Sequence, residues 1–142
     1  MKNSHLTFYS IIFLTLFAPQ LSFAELAIIV NPSSDISSIT AKEAKRVFLG
    51  KLKTIKGEKL IAVDQSENME SRKLFYDTII RKTESQLKSY WSTRIFSGKG
   101  VPPTTVGNDD DVKVWVSVNK DAIGYVDSTK IDNSVFVVYT VK

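Results

Sequence analysis

Cysteine is missing from this sequence, and the one histidine is His5. No disulfide, thiol nucleophile or thiolate metal site can be built from the chain. Beyond residue 5 no imidazole is available either. That removes Ser-His-Asp and Cys-His catalysis, the commonest general base and histidine-ligated zinc. Long apolar runs are scarce, and none reaches the roughly 20 residues that a bilayer-spanning helix needs. Charge of one sign does not dominate: 19 Lys and Arg face 15 Asp and Glu, a formal net charge of +4. The densest basic stretch, Lys42 to Lys59, reads as a solvated helix face and turn rather than a nucleic-acid stripe. An anionic ligand or partner is compatible with this charge and not required by it.

What is present begins with a leader. Lys2 and His5 precede the apolar stretch Leu6 to Phe17, broken by Thr7, Ser10 and Thr15. Pro19 follows, then Ser22-Phe23-Ala24. A basic start, a short apolar segment and small residues at −3 and −1 are the parts of a cleavable secretory signal. Residues 1–24 are therefore expected to be a signal peptide, and residues 25–142 one domain. No cysteine is present for lipid attachment. In a Gram-negative cell the product is expected to be periplasmic, meeting the membrane through its signal alone.

The remaining chain alternates strands and helices. Leu26 to Val30 is a compact apolar run ended by Asn31-Pro32, since proline cannot donate to a ladder. Thr40-Ala41-Lys42-Glu43 and Thr83-Glu84-Ser85-Gln86 are capping boxes. The first opens a helix with Ala44, Val47 and Phe48 on its apolar stripe and Gly50 just past its end. The second opens a helix in which Leu87, Tyr90, Trp91, Arg94 and Ile95 share a face, with Trp91 expected in the core. Ala122 to Val126 and Val135 to Val141 read as strands. Asp109 to Asn119 fits two descriptions. Val112, Val114, Val116 and Val118 alternate as in a strand, whereas Asp109 to Asp111 suit a helix start. Propensity alone leans towards the strand. The pattern as a whole predicts an α/β fold with a mixed or mainly parallel sheet.

The stretch Leu60 to Phe75 is the centre of the chain. Leu60 to Val63 reads as a strand covered on both faces. Asp64 to Asn68 supplies turn formers and possible caps, and Leu74, Phe75, Thr78 and Ile79 recur at helical spacing. A strand feeding a helix through a polar turn directs unpaired N–H groups out of the carboxyl end of the sheet, where small anions bind. Ser66, Asn68, Ser71 and Arg72 are the candidate ligand-binding residues. Plain N-capping with a surface arginine would explain the same four.

Val47-Phe48-Leu49-Gly50-Lys51, Ser71 to Phe75, Tyr90-Trp91, Phe96 to Gly100 and Ala122-Ile123-Gly124-Tyr125-Val126 occur in a definite order. In that series the chain resembles the periplasmic phosphate-binding proteins of ABC transporters, and more closely their short, one-lobe members. The resemblance implies a single lobe of a type II periplasmic binding protein, with a mixed, mainly parallel sheet flanked by helices and Asp109 to Asn119 helical. It implies phosphate or another small anion as ligand, an ABC transporter permease as partner, and no cofactor. The family's arginine position falls on Asp64 or Gln65, and its Ser-Gly-Thr on Met69-Glu70-Ser71, so Ser71 alone keeps a hydroxyl. Glu67 and Glu70 stand at the same helix start, where their carboxylates compete for the field that would draw an anion.

Three functions follow from these residues. The first is a solute-binding protein using the helix start that follows the turn Asp64 to Asn68. The second is an interaction module that has kept the fold and lost phosphate, docking another periplasmic protein through the loop Gly98 to Thr105, with Tyr90, Phe96 and Tyr125 as contacts if exposed and core positions otherwise. The third is an enzyme using Asp64, Glu67 and Glu70, or a metal at Asn108 to Asp111. The aspartate cluster lacks the alternate spacing and glycine of a calcium loop, and no nucleophile motif is present, so the chain is read as a non-enzyme.

Overall fold

The structure, a computed structural model, describes residues 25–142. The predicted signal peptide, residues 1–24, lies outside the described residues. Strand β1 is Leu26–Val30, followed by helix α1, Ala41–Phe48. A two-stranded ribbon, β2 (Thr54–Ile55) and β3 (Glu58–Lys59), leads to β4, Ile61–Asp64. Helix α2, Glu70–Phe75, runs directly into a π-helical turn, Tyr76–Ile80. Then come α3 (Glu84–Phe96), β5 (Thr104–Thr105), α4 (Asp109–Val118), β6 (Ala122–Asp127), a 3-10 turn at Ser128–Lys130, and β7 (Phe136–Val141).

The main sheet has the order β5-β4-β6-β1-β7. β4 is parallel to β5 and to β6, while β1 is antiparallel to both β6 and β7. Every strand except β1 thus points the same way, which is the mixed, mainly parallel α/β sheet expected. Helices cover both faces. Leu26, Ile28, Val30, Ile123 and Tyr125 face the core under α1, α2 and α3. Ala27, Ile29, Val63, Ala122 and Val126 face Val112 and Val116 of α4. This two-sided burial explains why β1 and β6 read as continuous apolar runs.

Both threonine capping boxes form. The Glu43 N–H donates to Thr40 Oγ1 at 3.1 Å, and Thr40 N–H to Glu43 Oε2 at 2.8 Å. Thr83 and Gln86 repeat the exchange at 2.9 and 3.2 Å. Gly50 adopts φ +67° just past α1, the left-handed position that glycine takes without a Cβ clash.

Asp109–Val118 is a helix and not a strand. Asn108 and Asp111 form a third capping box, and three aspartates fill the first turn. These end effects, with Val112 and Val116 buried one turn apart, outweigh the β propensity of the valines. Two apolar expectations fail. Ile61 is 50% exposed, because on its face only Val63 is packed into the α4-side core. Ile95 also leaves the core: α3 buries Leu87 and Trp91 only, and Ile95 is 53% exposed.

β6 approaches α4 closely at Gly124. A Cβ there would lie 2.5 Å from Val112 Cγ1 and 3.2 Å from Val63 Cγ2. Gly124→Ala is expected to destabilise the fold by about 1–3 kcal/mol through overpacking. Adding Val112→Ala should recover part of that loss in urea unfolding.

Candidate functional site

The carboxyl end of β4 carries Asp64, whose side chain is buried and fully engaged. It accepts hydrogen bonds from Gln65 N–H at 2.8 Å, from Tyr76 Oη at 2.6 Å and from Tyr125 Oη. Arg72 Nε stands 3.6 Å from Asp64 Oδ2. The sequence explains how these groups meet. β4 delivers Asp64, α2 and its π turn bring Arg72 and Tyr76 to one side, and neighbouring β6 presents Tyr125. Beneath them Tyr125 stacks on Phe75 at a centroid distance of 4.0 Å, and Phe48 closes edge-on against Phe75 at 4.7 Å.

Burial and the charge of Asp64 push both tyrosine hydroxyls well above their ordinary pKa of 10.0. The fold therefore holds the neutral phenols. Below about pH 10 folded and unfolded states carry the same tyrosine protons, and this contribution is complete. At higher pH the unfolded chain releases them first, so stability should fall by about 1.4 kcal/mol per pH unit for each tyrosine. Tyr76→Phe should remove one share of that slope, measured by urea midpoints between about pH 9 and 11.

A second buried cluster lies beside the first. Gln65 is completely buried. Its Nε2 donates to Asp109 Oδ1 at 2.9 Å and to the Tyr125 carbonyl at 3.0 Å, while its Oε1 has no partner. Asp109 Oδ1 also accepts from Asp127 N–H at 2.8 Å, and Oδ2 from Ser71 Oγ at 3.1 Å. Three donors from three elements thus converge on one carboxylate delivered by the start of α4.

The four predicted ligand residues do not form one cradle. Ser66 is fixed in the turn: its N–H donates to the Gly107 carbonyl at 2.8 Å. Asn68 is exposed. Ser71, hydrogen-bonded to Asp109, lines a cleft of about 570 Å³ together with Asn68, Glu70, Lys73, Asp77 and Asp127. Arg72 opens on the other side, into a groove of about 430 Å³ with Glu84, Lys88 and Trp91. Nor does any of the four cap α2, whose N-cap is Met69 with no side-chain hydrogen bond.

Arg72 is buried rather than a surface arginine. Its Nη1 donates to Glu84 Oε1 at 2.5 Å, and its guanidinium lies 4.3 Å from the Tyr76 ring centroid. Burial works to lower its pKa, but the Glu84 hydrogen bond and the Asp64 charge outweigh this and raise it. Asp64 has thus taken part of the guanidinium's charge from within, and Glu84 from the rim. Sequence reasoning missed the roles of Asp109, Gln65 and Glu84. The acidic start of α4 and the apolar-then-acid ending of β4 were legible as local features, but their partners are 44 and 61 residues away.

Of the three aromatic contact candidates, Tyr125 is buried and Tyr90 half-buried, while Phe96 is exposed, contrary to the core position expected for it. Trp91 is buried as expected. Among the described residues no group of three acidic, histidine or cysteine side chains is placed to hold a metal ion, and no helix is long and apolar enough to cross a membrane.

No protein-family model and no curated protein matches the chain. Solved structures do. A structure described as a phosphate ABC transporter substrate-binding protein with bound phosphate, from Clostridium perfringens, superposes with a TM-score of 0.65 at 20% identity, over 81% of this chain and 45% of its own. An ABC-type phosphate transport receptor from Vibrio cholerae gives 0.65 and 20%, over 81% and 46%. PstS from Borrelia burgdorferi gives 0.61 and 18%, over 82% and 47%. The chain therefore spans less than half the length of the structures it matches, and its fold is that of a single lobe of these phosphate-binding proteins.

Proposed function

We propose that this protein is an exported solute-binding module that takes phosphate or another small anion at the start of α2, its donors Ser66, Asn68, Ser71 and Arg72 converging on the anion only once the Ser71–Asp109 and Arg72–Glu84 contacts open. The observation that carries this reading is the shared fold: the chain superposes on structures described as phosphate receptors, and its own β4–α2 junction opens at the carboxyl end of β4. In this reading Arg72 becomes available when Glu84, whose side chain is 55% exposed, swings into solvent. A rim ion pair of this kind contributes little by itself and exchanges readily for another anion. The module works outside the cytoplasm with a membrane permease of the ABC type, its missing wall supplied by that partner or a second copy. No catalytic step and no cofactor are assigned to it.

A second reading has its own observation. Asp109 already accepts from Ser71, Gln65 and Asp127, and Asp64 and Glu84 already neutralise Arg72. A phosphate entering there meets filled donors and added negative charge. In this reading the chain is a periplasmic interaction module that keeps the fold without the ligand.

Calorimetric titration of residues 25–142 with phosphate separates the two. The first reading expects saturable binding, weakened at least tenfold by Ser71→Ala and by Arg72→Ala while circular dichroism stays native. A folded wild-type protein that gives no heat at millimolar phosphate would sink it and leave the second.

A further inference from the structure

The exposed face of α3 carries a feature that neither reading uses. A groove of about 580 Å³ runs along it, lined by Lys82, Tyr90, Arg94 and Lys99 with serine, threonine and glutamine side chains between them. Every charged residue in this lining is basic. Lys51 Nζ, Lys82 Nζ and the Arg94 guanidinium lie 5.7, 5.5 and 5.6 Å from the Tyr90 ring centroid. Among the described residues none of Lys51, Lys82, Arg94 or Lys99 forms an ion pair, whereas Arg72, Lys73, Lys113 and Lys130 all do. Arg94 is held in place by donating from Nη2 to the Gly50 and Lys99 carbonyls at 2.9 and 3.0 Å, yet its buried Nε has no partner.

Beside this uncompensated charge the chain displays bare apolar side chains. Phe96, the last residue of α3, is 96% exposed and Val101, in the loop that follows, 72% exposed, whereas Ile95 turns to the other side of the helix, into the groove of Arg72 and Trp91. Phe96 lies one helical turn from Thr93 of the groove and three residues before Lys99. Side chains this exposed contribute nothing to the fold. A protruding aromatic set among unpaired lysines fits a bilayer interface: the ring enters the headgroup boundary while the ammonium groups meet lipid phosphates. An acidic protein surface would use the cations but leave Phe96 without a role unless it also carried a matching pocket.

We propose that the α3 groove and the Phe96–Val101 tip form a docking surface for an anionic phospholipid bilayer. The proposal is independent of the phosphate reading, because it uses neither the cleft at α2 nor any of its residues. Binding is driven by charge and secured by shallow insertion, so it should be reversible and sensitive to salt.

The test is flotation of residues 25–142 with phosphatidylcholine vesicles and with vesicles containing one-third phosphatidylglycerol. This segment holds the whole sheet and both cores, and omitting the apolar Leu6–Phe17 stretch keeps that from binding lipid itself. Binding to the anionic vesicles should exceed binding to the neutral ones at least tenfold at low salt and fall several-fold at physiological salt. K82E/K99E should reduce it at least tenfold. Phe96→Ser should reduce it several-fold with an unchanged circular dichroism spectrum. Equal binding to both vesicle types, or anionic binding untouched by K82E/K99E, would overturn the proposal. So would vesicles that never bind while an acidic protein is retained through the same lysines, which would give the groove to that protein instead.

Discussion

Asp64→Ala should lower the stability of the fold by about 3–5 kcal/mol, the usual loss when one member of a buried charged cluster is removed and its partners stay behind. The cost comes from what remains. Tyr76 and Tyr125 keep hydroxyl groups that have lost their acceptor in a buried site, and Arg72 keeps a charge that has lost its inner partner. Each stranded polar group costs about 1–3 kcal/mol, so the sum falls in that range even after relaxation. Urea unfolding monitored by tryptophan fluorescence measures it. A stronger form of the same experiment removes the stranded groups as well. Asp64→Leu combined with Tyr76→Phe and Tyr125→Phe should be markedly more stable than Asp64→Leu alone, because apolar replacement of both sides of a hydrogen bond is close to neutral. If Asp64→Ala costs less than about 1 kcal/mol, the carboxylate is not the centre of the cluster.

Asp109→Ala should have the largest effect on ligand binding, and in the direction of gain. The substitution removes a negative charge from the 570 Å³ cleft and frees Ser71 Oγ, Gln65 Nε2 and Asp127 N–H together. If phosphate enters this cleft, its affinity should rise at least tenfold, about 1.4 kcal/mol, in the same titration as the wild type. Stability should fall at the same time by about 1–3 kcal/mol, since buried donors lose their acceptor. Asp109→Asn provides the intermediate case: an acceptor stays for Gln65 or Asp127, and the charge goes. A folded Asp109→Ala protein with no measurable phosphate binding would mean that the cleft is closed to anions for reasons beyond Asp109, and the interaction reading would then stand alone.

Sequence patterns carried the local elements well, because each rests on groups a few residues apart. The boxes at Thr40–Glu43 and Thr83–Gln86, the run at Leu26–Val30 and the turn at Gly50 all formed where expected. The valines of α4 misled in one respect: alternation and helical spacing coexist in Val112–Val118, and only the cap at Asn108 and the packing of Gly124 decide between them. The candidate site was legible as a place and not as a set of bonds. The β4–α2 junction was identifiable from a strand, a polar turn and a helix. That Gln65 reaches Asp109, or that Arg72 turns away from Ser71 towards Glu84, depends on how β4, α4 and α3 pack, and no spacing along the chain encodes it. Phe96 and Ile95 show the same limit on the surface, since helical periodicity gives a face but not how far along the helix that face stays covered.

The position of β1 also sets the order in which the molecule can be made. The strand comes first in the described chain, yet its two hydrogen-bonding edges belong to β6 and β7, the last strands of that chain. None of its ladder is local. Helices α1 and α3 can gather early from nearby residues, but the middle of the sheet closes only when both ends of the chain meet, and such distant pairings are slow to form. A polypeptide emerging from its amino end would hold both edges of Leu26–Val30 unpaired until Ala122–Asp127 had arrived, and one edge until Phe136–Val141 had. During that interval an entirely apolar strand is open to other chains, and a folding helper that shields it would act on the nascent molecule rather than on the finished one.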